Sequence, residues 1–107
     1  MPDRFLAEFE LYVMLAIARL GDDAYGASIR REIEQRTARP VSVGALYATL
    51  GRLGDKGLLR FRISDPEPTR GGRARRYCGL TRAGKAALEH SMEKLNRMME
   101  GVTVTGR

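Results

Sequence analysis

Residues Ser42–Ser64, SVGALYATLGRLGDKGLLRFRIS, contain a change of period that decides the fold. Up to Lys56 the apolar residues recur at helical spacing, with Val43, Leu46, Tyr47, Leu50 and Leu53 on one stripe. Gly44, Ala45, Ala48, Thr49 and Arg52 fall on the other side, which is small at its start and basic further on. Ser42 is placed to cap this helix, and Gly57 stands where a left-handed residue closes one. From Leu59 the period drops to two. Leu59, Phe61 and Ile63 point one way and Arg60 and Arg62 the other, which is the pattern of a half-buried strand.

Downstream, DPEPTRGG at residues 65–72 carries two prolines and two glycines and reads as a loop. RARRYCGL, residues 73–80, then returns as an antiparallel partner strand. Thr81 caps a last helix over Arg82 to Glu100. Along it Leu88, Met92, Leu95 and Met99 repeat at intervals of 4, 3 and 4, close to a short heptad seam. Upstream, Leu6, Phe9, Val13, Ile17 and Leu20 mark a first helix. Leu11, Tyr12, Met14 and Leu15 fill much of its remaining circumference, so it is buried on more than one side, with a second subunit as one cover. Gly21 stops it. Asp22-Asp23 supplies the cap of a second helix over Tyr25 to Arg36, whose Tyr25, Ile29 and Ile33 face the core; Pro40 bars its continuation.

The order helix, helix, helix, strand, loop, strand, helix describes a winged helix-turn-helix: mainly α with a small β-hairpin. The expected organisation is a winged helix-turn-helix over residues 1–80 with its wing at about 65–72, a C-terminal dimerisation helix over 81–101, and a frayed tail over 102–107.

Composition limits the function classes. The 107 residues carry a net charge of +6, unevenly spread. Residues 1–40 sum to −1, residues 41–85 to +7 and residues 86–107 to zero. A basic excess confined to one segment is the footprint of a polyanion-binding surface, or else a solvated face. The longest apolar run, Leu11 to Ala18, is too short to span a membrane, and the N-terminus lacks a signal-peptide pattern, so a cytoplasmic location is expected. A lone cysteine, Cys78, and a lone histidine, His90, offer neither a disulfide nor metal-type spacing. With no clustered carboxylates either, the expectation is no metal, no cofactor and no enzymatic activity.

Several motifs in order resemble the PadR family of bacterial transcriptional regulators. They are Tyr25-Gly26, the S-x-G-x-L-Y run from Ser42 to Tyr47, Arg52-Leu53, Lys56-Gly57-Leu58, and the R-R-Y-x-x-L-T-x-x-G run from Arg75 to Gly84. The resemblance covers roughly residues 5–90. It implies a dimeric winged-helix protein that binds double-stranded DNA, with the third helix in the major groove, the wing on DNA and terminal helices holding the dimer. Many members are repressors that release DNA when a small aromatic or amphipathic ligand binds. Here Val43 stands where the family often has proline, Ala45 where it often has threonine, and Cys78 where an aromatic residue is common.

On that footing the DNA-binding candidates in the third helix are Ser42, Gly44, Ala45, Tyr47, Thr49 and Arg52. Ser42 is a cap, a phosphate contact at a helix N-terminus, or both. Tyr47 is either a core tyrosine or a phosphate contact, and Arg52 meets a phosphate rather than a base, or is solvated. In the wing the candidates are Arg70, Gly71, Arg73, Arg75 and Arg76, for phosphate or minor groove. Strand alternation puts Arg73 and Arg75 on one face and Arg76, with Cys78 and Leu80, on the other. The glycines of TRGGRARRY separate two strands and lack the lysine of a phosphate-binding loop. Cys78 reads as a small core residue in preference to a redox sensor. The dimerisation candidates are Phe9, Tyr12, Leu88, Met92, Leu95 and Met99. The alternative reading is a winged-helix protein-interaction module without DNA binding.

Overall fold

The computed structural model describes residues 6–64 and 74–104. The wing loop expected at 65–72 lies outside these residues, as do the candidates Arg70, Gly71 and Arg73. The elements are α1 (Glu8–Leu20), a single 3-10 turn (Gly21–Asp23), α2 (Gly26–Thr37), α3 (Val43–Asp55), β1 (Leu59–Ile63), β2 (Arg76–Leu80) and α4 (Arg82–Met99). The architecture is the expected one: mainly helical, with a two-stranded antiparallel hairpin.

Helix α1 is central. It packs against α2, α3, β2 and α4, which explains why apolar residues occupy so much of its circumference. Val13, Met14, Ala16 and Ile17 are buried there with Ile29 and Ile33 of α2 and Leu46, Leu50 and Leu53 of α3. At its start Ala7 offers no capping side chain, and Glu10 reaches back to accept the Ala7 N–H at 3.0 Å.

The start of α2 corrects the expected cap. Asp22 and Asp23 lie in the 3-10 turn, and the residue before the helix is Tyr25. Ser28 takes over the capping work: its hydroxyl accepts the Tyr25 N–H at 2.9 Å and lies 2.6 Å from the Asp23 carbonyl, to which it donates. The reason is tertiary. Ala24 and Tyr25 run extended beside β2, where the Cys78 N–H donates to the Ala24 carbonyl at 2.8 Å and Tyr25 bridges Tyr77. The helix cannot begin until that pairing ends. Helix α2 closes at Thr37, three residues ahead of Pro40. Ala38 makes the turn in the left-handed region, at φ 58°, the one non-glycine described there.

Helix α3 begins at Ser42, whose Oγ accepts the Ala45 N–H at 3.1 Å. It ends as expected on a left-handed Gly57, φ 78°, with the Leu58 N–H reaching back to the Leu53 carbonyl at 3.0 Å. In the hairpin Leu59 pairs with Leu80, Phe61 with Cys78 and Ile63 with Arg76. The second strand therefore starts at Arg76, later than its expected start at Arg73. Thr81 caps α4 by accepting the Gly84 N–H at 3.0 Å while its hydroxyl donates to the Gly57 carbonyl at 2.7 Å. Gly84 lies so close to the Leu58 carbonyl that a Cβ would overlap it. These contacts explain the T-x-x-G spacing. They clamp the first turn of α4 to the α3–β1 corner, and Leu88 completes the core.

Left-handed alanine is strained where glycine is not. Ala38→Gly is therefore expected to stabilise the fold by about 0.5–1 kcal/mol, read as a raised thermal midpoint; an unchanged or lower midpoint counts against strain at this turn.

Candidate nucleic-acid interface

Helices α2 and α3 with the connection 38–42 form the helix-turn-helix, and α3 presents its outer side to solvent. Ser42, Val43, Gly44, Ala45, Tyr47, Ala48, Gly51 and Arg52 are exposed along it. Two expectations are corrected here. Val43 and Tyr47, assigned to the buried stripe, are each 49% exposed, and Thr49, assigned to the outer side as a DNA contact, is 2% exposed. The buried arc runs through Leu46, Thr49, Leu50 and Leu53, a helical i, i+3, i+4, i+7 set. Sequence could not separate this arc from its neighbour, because Thr49 is polar and Val43 and Tyr47 are apolar. Tyr47 lies over the start of α2: its hydroxyl occupies the space a Cβ at Gly26 would need. The Tyr25-Gly26 and Leu46-Tyr47 pairs are thus two halves of one helix–helix contact.

Arg52 does not extend freely from α3. Its Nη2 donates to the buried Thr49 Oγ1 at 3.0 Å, and its Nε lies 3.8 Å from the Glu10 Oε2 of α1. Lys56 Nζ donates to the same carboxylate oxygen at 3.1 Å. Burial would raise the Glu10 carboxyl. The Ala7 N–H, Lys56 and Arg52 outweigh that and hold it below its ordinary value. No sequence pattern pointed to Glu10, since a glutamate in the first turn of a helix is ordinary.

At the end of the hairpin nearest the wing loop, arginines are stacked on rings. Arg75 lies over Tyr25 at 4.1 Å and Arg62 over Tyr77 at 4.6 Å. The two tyrosines meet edge to face, with centroids 5.6 Å apart. Arg76 lies over Phe61 at 3.9 Å, among the residues that share a sheet face with Cys78. Arg75 and Arg76 thus have different partners on opposite faces. Arg60 Nη1 donates to the Leu80 carbonyl at 2.9 Å. Cys78 is buried; that burial pushes its thiol up, with Arg76 opposing, so it is poorly suited to react as a thiolate.

Of the dimerisation candidates, Leu88 is corrected: it is 5% exposed and belongs to the chain's own core. Phe9 and Tyr12 are half-buried on α1. Met92, Leu95 and Met99 form an exposed stripe on the distal half of α4, joined by Met98 and Val102. A cleft of about 530 Å³ opens between α1, the hairpin and α4, lined by Ile17, Phe61, Leu80 and Leu88 together with Arg60, Lys85 and Glu89. Among the described residues no group of three His, Cys, Asp or Glu converges as a metal site, and no helix is long and apolar enough to cross a membrane.

The model of the transcriptional regulator PadR-like family matches residues 14–90. Among solved structures, a PadR family transcription regulator from Clostridium difficile R20291 is similar at 25% identity and TM-score 0.73, over 87% of this chain and 95% of its own. RosR of H. salinarum is similar at 26% identity and TM-score 0.71, over 95% of this chain and 84% of its own. A PadR-like transcription factor from Bacteroides fragilis is similar at 27% identity and TM-score 0.66, over 89% of each chain. No curated protein matches.

Because Glu10 is held below the ordinary value of 4.5, its contribution to stability is complete above that value. It is lost as pH falls through the lower folded-state value. Urea unfolding is expected to show Glu10→Gln less stable than wild type by about 1–3 kcal/mol near neutral pH, with the gap narrowing as pH falls below 4.5. A gap independent of pH would remove the carboxylate's charge from the account.

Proposed function

The chain belongs to the PadR-like family of transcriptional regulators, and we propose that it acts as a homodimeric repressor that binds a pseudo-palindromic operator. As a member of that family it is a DNA-binding transcriptional regulator. The observation that carries the finer reading is the exposed outer side of α3, running from its cap Ser42 to Arg52, together with the arginines at the loop end of the hairpin. A helix of this width fits the major groove, and its N-terminal residues reach base edges first. Ser42, Gly44, Ala45 and Tyr47 lie in that first stretch, and Arg52 lies further along, at the height of a phosphate. In this reading Arg75 and Arg76 add phosphate contacts from the two faces of the hairpin, and Arg70, Gly71 and Arg73, which lie outside the described residues, are further candidates for phosphate or minor groove. Thr49 supports Arg52 from inside.

Dimerisation through the Met92, Leu95 and Met99 stripe, with Phe9 and Tyr12 of α1, would space two α3 helices for half-sites about one helical turn apart, or a multiple of it. The cleft between α1, the hairpin and α4 is the place for a small aromatic or amphipathic effector. Ile17, Phe61, Leu80 and Leu88 give it apolar lining, and Arg60 and Lys85, beside the carboxylates of Asp22 and Glu89, give it polar groups.

Selection of bound duplexes from random DNA tests the reading. A two-fold symmetric motif is expected; no retained DNA even at low salt would favour a protein-interaction module instead. Arg75→Ala is expected to weaken all duplexes alike and to flatten the salt dependence of binding by about one unit, measured by fluorescence anisotropy; an unchanged slope takes Arg75 off the phosphates. Leu95→Asp with Met99→Asp is expected to yield folded monomer in light scattering, and a persisting dimer would move the interface elsewhere.

A further inference from the structure

Glu10 lies on α1, 42 residues before Arg52 in the chain, yet its carboxylate sits against the solvent-facing helix of the motif. It is 5% exposed and fixed on one side, where Oε1 accepts the Ala7 N–H at 3.0 Å. Oε2 faces two cations: Nζ of Lys56, the residue just after α3, at 3.1 Å, and Arg52 Nε of α3 at 3.8 Å. A guanidinium is planar and presents its donors as a rigid fork. In Arg52 the inner edge of that fork is occupied, with Nε toward Glu10 and Nη2 donating to Thr49 Oγ1, which is itself buried. The side chain is still 56% exposed, so the rest of the fork looks outward from α3.

We propose that Glu10 is a positioning residue for DNA binding: with Thr49 it holds the Arg52 guanidinium in the orientation that receives a backbone phosphate. The inference rests on α3 being the DNA-facing helix. Lys56 takes the shorter contact with Glu10, and the trio of Glu10, Arg52 and Lys56 keeps a net charge of +1, so the carboxylate orients Arg52 without cancelling it. A long arginine loses much rotamer freedom when it docks on a phosphate. Here that freedom is given up on folding, which leaves less to lose on binding. Glu10 and Thr49 touch no DNA themselves and act through Arg52.

The test is a pair of double-mutant cycles on the full chain. Anisotropy is measured against a mixed-sequence duplex of roughly 30 bp at low salt, with thermal unfolding of each variant run alongside. Arg52→Ala is expected to weaken binding and flatten its salt slope by about one. Glu10→Gln and Thr49→Val are each expected to weaken binding by about threefold to tenfold in the wild-type background and to have no effect in the Arg52→Ala background. Thr49→Val removes the acceptor with little change in volume or charge, so it carries the test should Glu10→Gln unfold. Equal losses in both backgrounds would show a merely structural role and overturn the proposal, as would tighter binding by Glu10→Gln, the mark of a carboxylate that masks Arg52. Wild-type binding that Arg52→Ala leaves intact removes Arg52 from the phosphates and overturns it too. Wild type that retains no DNA refutes the DNA-binding reading itself.

Discussion

A backbone hydrogen bond of 2.8 Å, from the Cys78 amide to the Ala24 carbonyl, ties the helical half of the chain to the hairpin. It holds Ala24 and Tyr25 extended and thereby delays the start of α2 to Gly26. It brings Tyr25 against Tyr77, and the Tyr25 ring then seats Arg75 while Tyr77 seats Arg62. Starting α2 at Gly26 also puts a residue without a side chain under the Tyr47 hydroxyl, so α3 can lie close across it. One short strand-like pairing therefore sets the position of the outer helix relative to the basic hairpin.

The positive charge of the middle segment is less free than its count suggests. Arg62, Arg75 and Arg76 each rest on an aromatic ring, Arg60 donates to a carbonyl, and Arg52 is held between Thr49 and Glu10. Each exposed cation–π contact is worth only about 0.5–1 kcal/mol. That is too little to withhold an arginine from a phosphate, and enough to narrow its orientations beforehand. The electrostatic footprint is therefore also a shaped one.

Helix α4 divides its apolar seam between two tasks. Gly84 and Leu88 are buried against the body, whereas Met92, Leu95 and Met99, on the same repeat, are exposed. The division falls where α4 runs past the end of the core, a place no periodicity marks. A helix that keeps its heptad stripe after leaving its own domain carries apolar surface suited to another helix.

The kinds of element, their order and most of their ends were legible in the residues. Local chemistry suffices for Ser42 and Thr81 as caps, for the left-handed Gly57, and for the switch from helical period to alternation at Leu59. The family motifs were legible too, although their reasons were not: Gly26 lies under Tyr47, and Gly84 under the Leu58 carbonyl. Tertiary structure alone decided which arc of α3 faces inward, because a buried threonine and two exposed apolar residues invert the usual hydropathy rule. It decided the cap of α2, because a strand pairing from 54 residues downstream overrode the local Asp22-Asp23 signal. It also decided that Glu10 meets Arg52 and Lys56, since a contact between distant helices leaves no trace in the spacing of either.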